Sequence, residues 1–383
     1  METRIISRLW IALRLLFPSP FMLKYARKIR QSQLFDRQFY LASTPNLHPL
    51  AKVFPVRHYI LRGETVGLCP NQNFSPLAYL HNNPRVKAIN TPPLMHYINT
   101  GQDQNLKSSF AVSTANNDPT LIPEISSKDY PCNPASFAIV VHIYYHDLWA
   151  EISSAIKRQT FSYDLFITLN RFSDPPTDLI RAIHQDFPAA QVWVMPNHGR
   201  DIFPFVHLLN SGILSPYKAV CKLHTKKSLH RHDGDQWRDT LINGILGDAR
   251  HTKTCLDIFC ADKTAAFWTA DGQHYQGEKW WGQNKTRTAT LLNRIGIKTA
   301  PPALSFPAGS IYWVKPAILK HVQAMKLRYE DFEPEQGQID GTTAHAIERC
   351  FGFLAQATGT IIKETRTLNM PQVYPAPNEQ NRE

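Results

Sequence analysis

The sequence predicts an α/β protein, in which a Rossmann-like domain with a largely parallel sheet follows a small helical repeat region. From residue 137 onward, short apolar, β-branched or aromatic runs alternate with amphipathic stretches, a pattern typical of βαβ units. Before that point, one motif of aromatic residues, proline and glycine occurs twice, which indicates two copies of a supersecondary unit. The chain has 383 residues, 43% of them hydrophobic, and is long enough for both parts.

The sheet domain is expected at 135–366, with alternating strands and helices. Its predicted strands are 137–144, 165–169, 191–195, 219–223, 265–269 and 310–314. Its predicted helices are 147–158, 174–184, 202–213, 236–246, 316–325 and 341–351. The segment 367–383, which contains Pro371, Pro375 and Pro377, is expected to be an irregular tail.

The repeats occupy 35–101, with a period of about 39 residues. Each copy has an aromatic residue, a Tyr-Leu pair and a proline, followed by Pro-x-x-His-Tyr-Ile-x-x-Gly. Because proline and glycine start and stop helices, each copy is predicted to form two short helices that share an aromatic core. His58 and His96 are interpreted as packed or hydrogen-bonded core residues, with metal ligation as the alternative.

Two other segments flank the repeats. Residues 102–134 are polar without a sustained period and are expected to be a linker. Residues 1–34 combine basic side chains with an apolar stretch that is shorter than the roughly 20 residues of a spanning helix and lacks a signal-peptide cleavage site. This segment suits the membrane interface, and the alternative is an amphipathic helix packed on the protein.

The formal net charge of +11 favours contact with anions, namely nucleic acid, nucleotides or acidic lipid headgroups. No nucleic-acid recognition motif accompanies this charge, so nucleic acid is not an expected partner. The six cysteines include no Cys-x-x-Cys pair, which argues against a zinc ribbon or a disulfide framework and for a reducing, cytoplasmic compartment.

The loops that follow the predicted strands are the expected ligand sites, because ligands of open α/β sheets bind beyond the carboxyl ends of the strands. After the strand 191–195, a glycine turn leads into a helix whose N-terminus lies beside an arginine, a natural seat for a phosphate or a sugar nucleotide. The residues predicted here to bind a sugar-nucleotide donor are Asn197, Gly199, Arg200 and Asp201. The alternative is that Arg200 and Asp201 form only a cap and a salt bridge.

A cationic loop follows the strand 219–223. Its two lysines can offset the charge of a diphosphate as the bond to the sugar breaks, without a metal ion. His224, Thr225, Lys226 and Lys227 are therefore also predicted to bind the donor, and an ordinary solvated surface is the alternative.

Later segments supply small, aromatic and acidic residues. Small residues in the 306–314 motif let a sugar approach the backbone, and Trp280 and Trp281 offer a stacking surface, with aromatic core packing as the alternative for these two. The predicted acceptor-binding residues are Gly309, Ser310, Trp313, Trp281 and Gln338. Asp340, with Glu335 as the alternative, is the predicted general base, and Asp340 is also a candidate cap of the last helix.

Four motifs in this order resemble the rhamnan synthesis F family of bacterial cell-surface polysaccharide proteins. They are Gly199-Arg200-Asp201-Ile202, Lys222-x-His224-Thr225-Lys226-Lys227-Ser228, Gly309-Ser310-Ile311-Tyr312-Trp313, and Glu335-x-Gly337-Gln338-x-Asp340-Gly341-Thr342. The resemblance covers roughly 137–351. It implies transfer of a sugar from a nucleotide-sugar donor, with dTDP-rhamnose as one candidate, to a lipid-linked glycan at the cytoplasmic side of the inner membrane.

The order of elements also resembles the A-type glycosyltransferase fold, with Asp340 where the base-bearing acid stands. The Asp-x-Asp metal motif of many such enzymes is missing, so no metal cofactor is expected. The rival interpretation is a non-catalytic, sugar-nucleotide-binding scaffold that organises other glycosyltransferases.

Overall fold

The computed structural model describes residues 13–44, 47–71, 73–89, 91–108, 118–171, 176–225, 227, 234–297, 304–335, 338 and 340–368. In the first part of the chain most helices begin at a proline, whose fixed φ suits the first helical position. These helices are α1 (Pro20–Ser32), α2 (Arg37–Ser43), α3 (Pro49–Val53), α4 (Pro55–His58), α5 (Pro76–Asn82), α6 (Pro84–Ala88) and α7 (Pro93–His96). Helices α4 and α7 continue into π-helical turns, Tyr59–Gly63 and Tyr97–Gly101.

The two sequence repeats make the same contacts. The Tyr40 hydroxyl lies 2.8 Å from His58 Nδ1, and the Tyr79 hydroxyl lies 2.8 Å from His96 Nδ1. A Cβ at Gly101 would lie 2.2 Å from the Tyr79 hydroxyl, so the repeated glycine makes room for the repeated tyrosine. Both histidines are hydrogen-bonded, as the preferred interpretation predicted. The prediction of two helices in each copy was wrong, because each copy contains three short helices and a π-helical turn.

Helix α1 packs on the repeats with one side and exposes the other. Tyr25 and Ile29 are fully buried in the aromatic core of the repeats, whereas Phe21 and Leu23 are 54% and 51% exposed, and Phe17, just before α1, is 73% exposed. The segment therefore has a packed side and an exposed apolar side, while residues 1–12 lie outside the described part. None of the described helices has the length and hydropathy needed to cross a membrane.

A seven-stranded sheet forms the centre of the second part of the chain. The described strands of this part, which include two outside the large sheet, are β1 (Phe137–Ile143), β2 (Tyr163–Asn170), β3 (Gln191–Met195), β4 (Ala219–His224), β5 (Ala265–Thr269), β6 (His274–Gln276), β7 (Ser305–Pro307), β8 (Tyr312–Val314) and β9 (Ile361–Glu364). The sheet has the order β3-β2-β1-β4-β8-β5-β9, and β6 pairs with β7 separately. β8 runs antiparallel to β4 and β5, and the other pairs in the large sheet are parallel.

Helices cover both faces of the sheet, which is why β1 is buried along its whole length. Ala138 and Val140 face one core, and Ile139 and Val141 face the other. The helices are α8 (Trp149–Lys157), α9 (Thr177–Asp186), α10 (Ile202–Ser211), α11 (Gly234–Leu246), α12 (Ala249–Ala261), α13 (Lys285–Asn293), α14 (Pro316–Ala324) and α15 (Thr343–Ala357). Residues of α10, α14 and α15 pack in the first core, and residues of α8, α11 and α12 in the second.

Several elements differ from the sequence expectation. The strand expected at 310–314 begins only at Tyr312, because Gly309 and Ser310 adopt left-handed conformations with φ of 84° and 57°. Helix α12 was not predicted, since its buried face carries Thr252 and Cys255 among the apolar residues. Helix α13, the short strands β6 and β7, and the edge strand β9 were also missed. In the expected linker, Tyr130 donates a hydrogen bond to the Ser211 carbonyl and so attaches this segment to α10.

Candidate functional site

The carboxyl ends of β1 to β4 and the start of β8 meet at one edge of the sheet, where the predicted donor loops lie. Asn170 ends β2, and its side-chain amide donates to Asn197 Oδ1 at 2.8 Å, which joins the loops after β2 and β3. Because β8 is antiparallel, its preceding residue Ser310 reaches the same edge beside β4. This is the position at which open α/β sheets bind ligands.

A buried ion pair lies beneath this edge. Lys222 is 1% exposed, and its ammonium contacts the Asp201 carboxylate and donates to Ser310 Oγ at 2.9 Å. The Asp201 Oδ2 atom also lies 3.5 Å from His224 Nδ1. A charge this deeply buried requires a partner, so Asp201 is the counter-ion of Lys222 and connects β4 to the start of α10.

Lys222 was not among the predicted site residues, although it was part of a quoted motif. Its signal in the sequence is a lysine within the otherwise apolar run of β4. The neighbouring His142 in β1 was missed as well. Its Nδ1 lies 2.9 Å from Thr168 Oγ1, and burial lowers the pKa of His142 to about 4, so the imidazole is neutral at neutral pH.

Arg200 and Glu335 come together at this edge of the sheet although they are far apart in sequence. Gly199 and Arg200 both have left-handed conformations, with φ of 61° and 58°, which turn the Arg200 side chain toward Glu335. The Arg200 Nε and Glu335 Oε1 atoms are 3.9 Å apart. A β-bridge between His198 and Pro334 holds the two loops beside each other.

Aromatic packing supports this bridge. The His198 imidazole stacks on the Tyr329 ring with centroids 3.7 Å apart, and its Nε2 donates to the Tyr329 carbonyl at 2.8 Å. At Gly199 an added Cβ would lie 2.4 Å from Phe203 Cβ and 2.7 Å from the Phe332 ring. The glycine is therefore needed both for its backbone conformation and for the close approach of the 329–332 segment.

Burial raises the pKa of Glu335, and the nearby Asp201 carboxylate raises it further, while the Arg200 guanidinium opposes both effects. A carboxylate with a raised pKa is a better general base near neutral pH than an ordinary glutamate. The arrangement gives Glu335 the properties expected of a base, beside a cation that can hold an anionic ligand.

Asp340 has a different environment. Its carboxylate accepts hydrogen bonds from the Gln283 amide at 3.0 Å and from Asn284 Nδ2 at 2.6 Å. The N-cap of α15 is Thr342, so the alternative that Asp340 caps this helix was wrong. Asp340 instead anchors the Gly282 loop, where a Cβ would lie 2.0 Å from the Asp340 Oδ2 atom.

The predicted cationic loop packs against the loop after β1. The Thr225 hydroxyl accepts hydrogen bonds from the Tyr144 and Tyr145 amides at 2.8 and 2.9 Å. Lys227 Nζ lies 2.5 Å from Asp147 Oδ2 and 4.8 Å from the centre of the Tyr145 ring. Sequence reasoning missed Tyr144, Tyr145 and Asp147, and Lys226 lies outside the described residues.

The predicted acceptor residues separate into two groups. Trp313 is fully buried in the sheet, stacks on Trp268 and donates to the Ile245 carbonyl at 3.2 Å. Trp281 is 7% exposed and stacks on Phe353. The acceptor-binding prediction for these two tryptophans does not fit their burial. Core packing was the alternative for Trp281, and the structure shows it for Trp313 as well.

The other three predicted acceptor residues lie in the loops that contain or adjoin the Lys222 and Glu335 contacts. Gly309 packs against α11, where a Cβ would lie 2.8 Å from Leu241 Cδ1. Ser310 binds Lys222, and Gln338 Nε2 donates to the Pro334 carbonyl at 2.9 Å, beside Glu335. Within the described ranges, no group of three His, Cys, Asp or Glu side chains is arranged to hold a metal ion.

The fold is an α/β domain with a central sheet of seven strands, and charged side chains gather at the carboxyl edge of its parallel strands. The chain belongs to the family described as rhamnan synthesis protein F, whose model matches residues 79–360. The family assignment expected from the four motifs is thereby confirmed.

Two relatives share the same name, uncharacterized protein WxcX, and come from two strains of Xanthomonas campestris pv. campestris. Each is 30% identical over 249 residues, covering 64% of this chain and 35% of the relative. The chain thus matches about a third of the length of these relatives. Among solved structures, a mannosyltransferase from Pyrobaculum calidifontis in complex with GDP-mannose and Mn²⁺ aligns with 61% of this chain and 56% of its own, at 13% identity and a TM-score of 0.32.

Proposed function

We propose that the chain is a glycosyltransferase of bacterial cell-surface polysaccharide synthesis, which transfers a sugar from a nucleotide-sugar donor to a lipid-linked glycan. The observation that carries the proposal is the pair Arg200 and Glu335, a cation and a raised-pKa carboxylate facing each other at the carboxyl edge of the sheet. Membership of the rhamnan synthesis protein F family supports the pathway. Rhamnose from a dTDP-linked donor is the sugar that the family name favours.

In this proposal the diphosphate of the donor binds between the loops after β3 and β4. Arg200 can donate two parallel hydrogen bonds to phosphate oxygens, and Lys227 adds a second positive charge. Lys226, His224, Thr225 and Asn197 complete the proposed donor site. Asp201 supports this donor site indirectly, because its carboxylate is paired with buried Lys222.

The proposed reaction is a single inverting displacement. Glu335 takes the proton from the acceptor hydroxyl, the hydroxyl oxygen forms a bond to the anomeric carbon, and the bond from that carbon to the diphosphate breaks. The electron pair leaves with the nucleoside diphosphate, whose charge Arg200 and the lysines stabilise. Asp340 is the second candidate base, since its carboxylate is oriented by the Gly282 loop.

We further propose that this reaction needs no divalent metal, because the cationic side chains take the place of the ion at the diphosphate. Gly309, Ser310 and Gln338 are the proposed contacts of the acceptor. Peripheral binding to the cytoplasmic face of the inner membrane, through the exposed apolar side of α1, would hold the enzyme near its lipid-linked substrate.

Donor binding tests the proposal directly. Wild-type protein should bind one nucleotide sugar of a panel, measured by isothermal titration in buffer containing EDTA, and Arg200→Gln should weaken that binding at least tenfold because it removes the paired donors to phosphate. Arg181→Gln is the matched control, since Arg181 is exposed on α9 and pairs with exposed Asp178. Equal affinities of the Arg200→Gln and wild-type proteins would contradict the proposed donor site.

A further inference from the structure

A cleft outside the sheet domain contains three arginines. It lies between the end of α1 and the first repeat and has a volume of about 410 Å³. Arg30, Arg37 and Arg57 all line it, and no aspartate or glutamate is among its described lining residues. The remaining lining is mostly apolar, including Phe35 from one segment and the consecutive residues Val53 and Phe54 from another.

The partners of these arginines do not neutralise their charge. Arg37 Nη2 donates to the Lys52 carbonyl at 3.1 Å, and Arg57 Nη1 donates to the Leu15 carbonyl at 2.7 Å. The nearest acid along the chain, Asp36, caps α2 by accepting from the Phe39 amide at 2.9 Å. Three guanidinium groups around one cleft therefore give it a positive potential, and an anion would offset that charge.

The geometry of the guanidinium group favours phosphate as this anion. Arginine binds phosphate oxygens through paired N–H groups, and two of the three arginines here are already oriented by bonds to backbone carbonyls. Arg57 is also fixed by stacking over the Phe54 ring at 4.6 Å from its centre. The site is thus partly preorganised, which lowers the entropic cost of binding an anion.

The surroundings of the cleft indicate where the phosphate comes from. The carbonyl that orients Arg57 belongs to Leu15, and its neighbours Leu16 and Phe17 are 47% and 73% exposed. Val53, on the rim of the cleft, is 57% exposed. A ligand with both a phosphate and an acyl chain would contact the arginines and this apolar surface together, whereas free phosphate would use only the arginines.

We propose that this cleft binds the phosphoryl group of a membrane lipid, with the lipid chains lying along the exposed apolar side chains near Leu15. The inference goes beyond the proposed function, because it concerns a second site and needs no sugar transfer. It also assigns a binding role to the first repeat, since residues 53–57 of that repeat, in and between α3 and α4, make up half of the lining residues of the cleft.

Soluble short-chain lipids test this site by isothermal titration. Dihexanoyl phosphatidic acid should bind saturably to the wild-type chain, at least tenfold tighter than inorganic phosphate and tighter than dihexanoyl phosphatidylcholine. The double variant Arg30→Gln, Arg37→Gln should lose this binding at least tenfold, and Val53→Glu, which places a carboxylate at the rim, should lose it as well.

The matched control is Arg85→Gln, Lys107→Gln, which removes two exposed positive charges, one in the second repeat and one just after it, and should bind the lipid like the wild type. Thermal melting of each variant checks that the fold is kept, and the exposed positions of Arg30, Arg37 and Val53 favour this. Equal binding of inorganic phosphate would overturn the lipid assignment. Unchanged lipid binding by both cleft variants, or equal losses in the control, would overturn the site.

Discussion

At the scale of single residues, Lys222 is a charged side chain in an unusual position. It lies in the centre of the sheet, 1% exposed, with the Asp201 carboxylate and Ser310 as its partners. Buried ion pairs contribute little net stability when intact, but removing one partner leaves the other charge uncompensated. The sign of a mutational effect therefore depends on whether one or both charges are removed.

We expect Lys222→Met to lower the free energy of unfolding by about 2 kcal/mol, because the partly buried Asp201 carboxylate then loses the Lys222 ammonium. The double variant Lys222→Met, Asp201→Asn should recover a large part of this loss. Urea denaturation of the wild type, Lys222→Met, Asp201→Asn and the double variant measures the interaction free energy between the two side chains. Additive losses in the double variant would show that the two side chains do not form a stabilising pair.

Sequence reasoning placed the loops that follow strands correctly and was less accurate for the positions of tryptophans. The loops containing Arg200, Asp201 and Thr225 lie at the carboxyl edge of the sheet, as the rule for open sheets requires. Trp313 and Trp281 are buried instead of facing a ligand. A sequence motif gives no information about which face of a strand or loop an aromatic residue occupies, so only the fold could separate these cases.

At the scale of elements, the long apolar strands were predictable and the short or mixed ones were not. The strands at Gln191–Met195 and Ala265–Thr269 have the predicted bounds, because each is a compact run of apolar residues between polar segments. Strand β9 has only four residues and includes Lys363 and Glu364, so its pattern is too short to detect. The pairing of Arg200 with Glu335 depends on a bridge between distant loops, which no local pattern encodes.

Glu64 links three elements and makes their packing depend on pH. The Tyr25 hydroxyl of α1 donates to its carboxylate at 2.9 Å, and the Leu94 amide of α7 donates at 2.6 Å. Burial raises the pKa of Glu64 to about 7, against the opposing effect of these hydrogen bonds. The folded state thus binds a proton that the unfolded state releases between about pH 4.5 and pH 7.

This linkage sets the sign of the pH effect. The contribution of Glu64 to stability is fully present below pH 4.5 and is lost as the pH rises through about 7. Relative to Glu64→Gln, which does not titrate, the wild type should lose roughly 3 kcal/mol of unfolding free energy between pH 4.5 and pH 8. Urea denaturation at both pH values measures the difference. If the difference in unfolding free energy between the wild type and Glu64→Gln were the same at both pH values, a raised pKa of Glu64 would be excluded.

At the scale of the whole molecule, α1 joins the repeats to an exposed apolar surface. Deleting residues 1–30 is a poor test of membrane binding, because Tyr25 and Ile29 are part of the core. We expect Leu16→Ser, Phe17→Ser to keep the fold and to weaken binding to anionic vesicles at least tenfold, since two large apolar side chains no longer enter the interface. Cosedimentation measures this. Ile89→Ser, at an exposed apolar position in the second repeat, is the control, and equal binding by all three proteins would refute the proposed surface.

The central claim is that the chain catalyses sugar transfer with Glu335 as the general base and Asp340 as the second candidate base, and the most direct measurement is transfer from a nucleotide sugar to a lipid-linked glycan by the purified chain. The wild type should form product, and Glu335→Gln, Asp340→Asn should be at least about 100-fold slower, because the acceptor hydroxyl then has no general base. Asp178→Asn, Asp257→Asn removes two exposed acids and should retain full activity. Full activity of the Glu335→Gln, Asp340→Asn variant would contradict the assignment of the bases, and a wild-type chain that binds the donor but never transfers it would identify a scaffold instead of an enzyme.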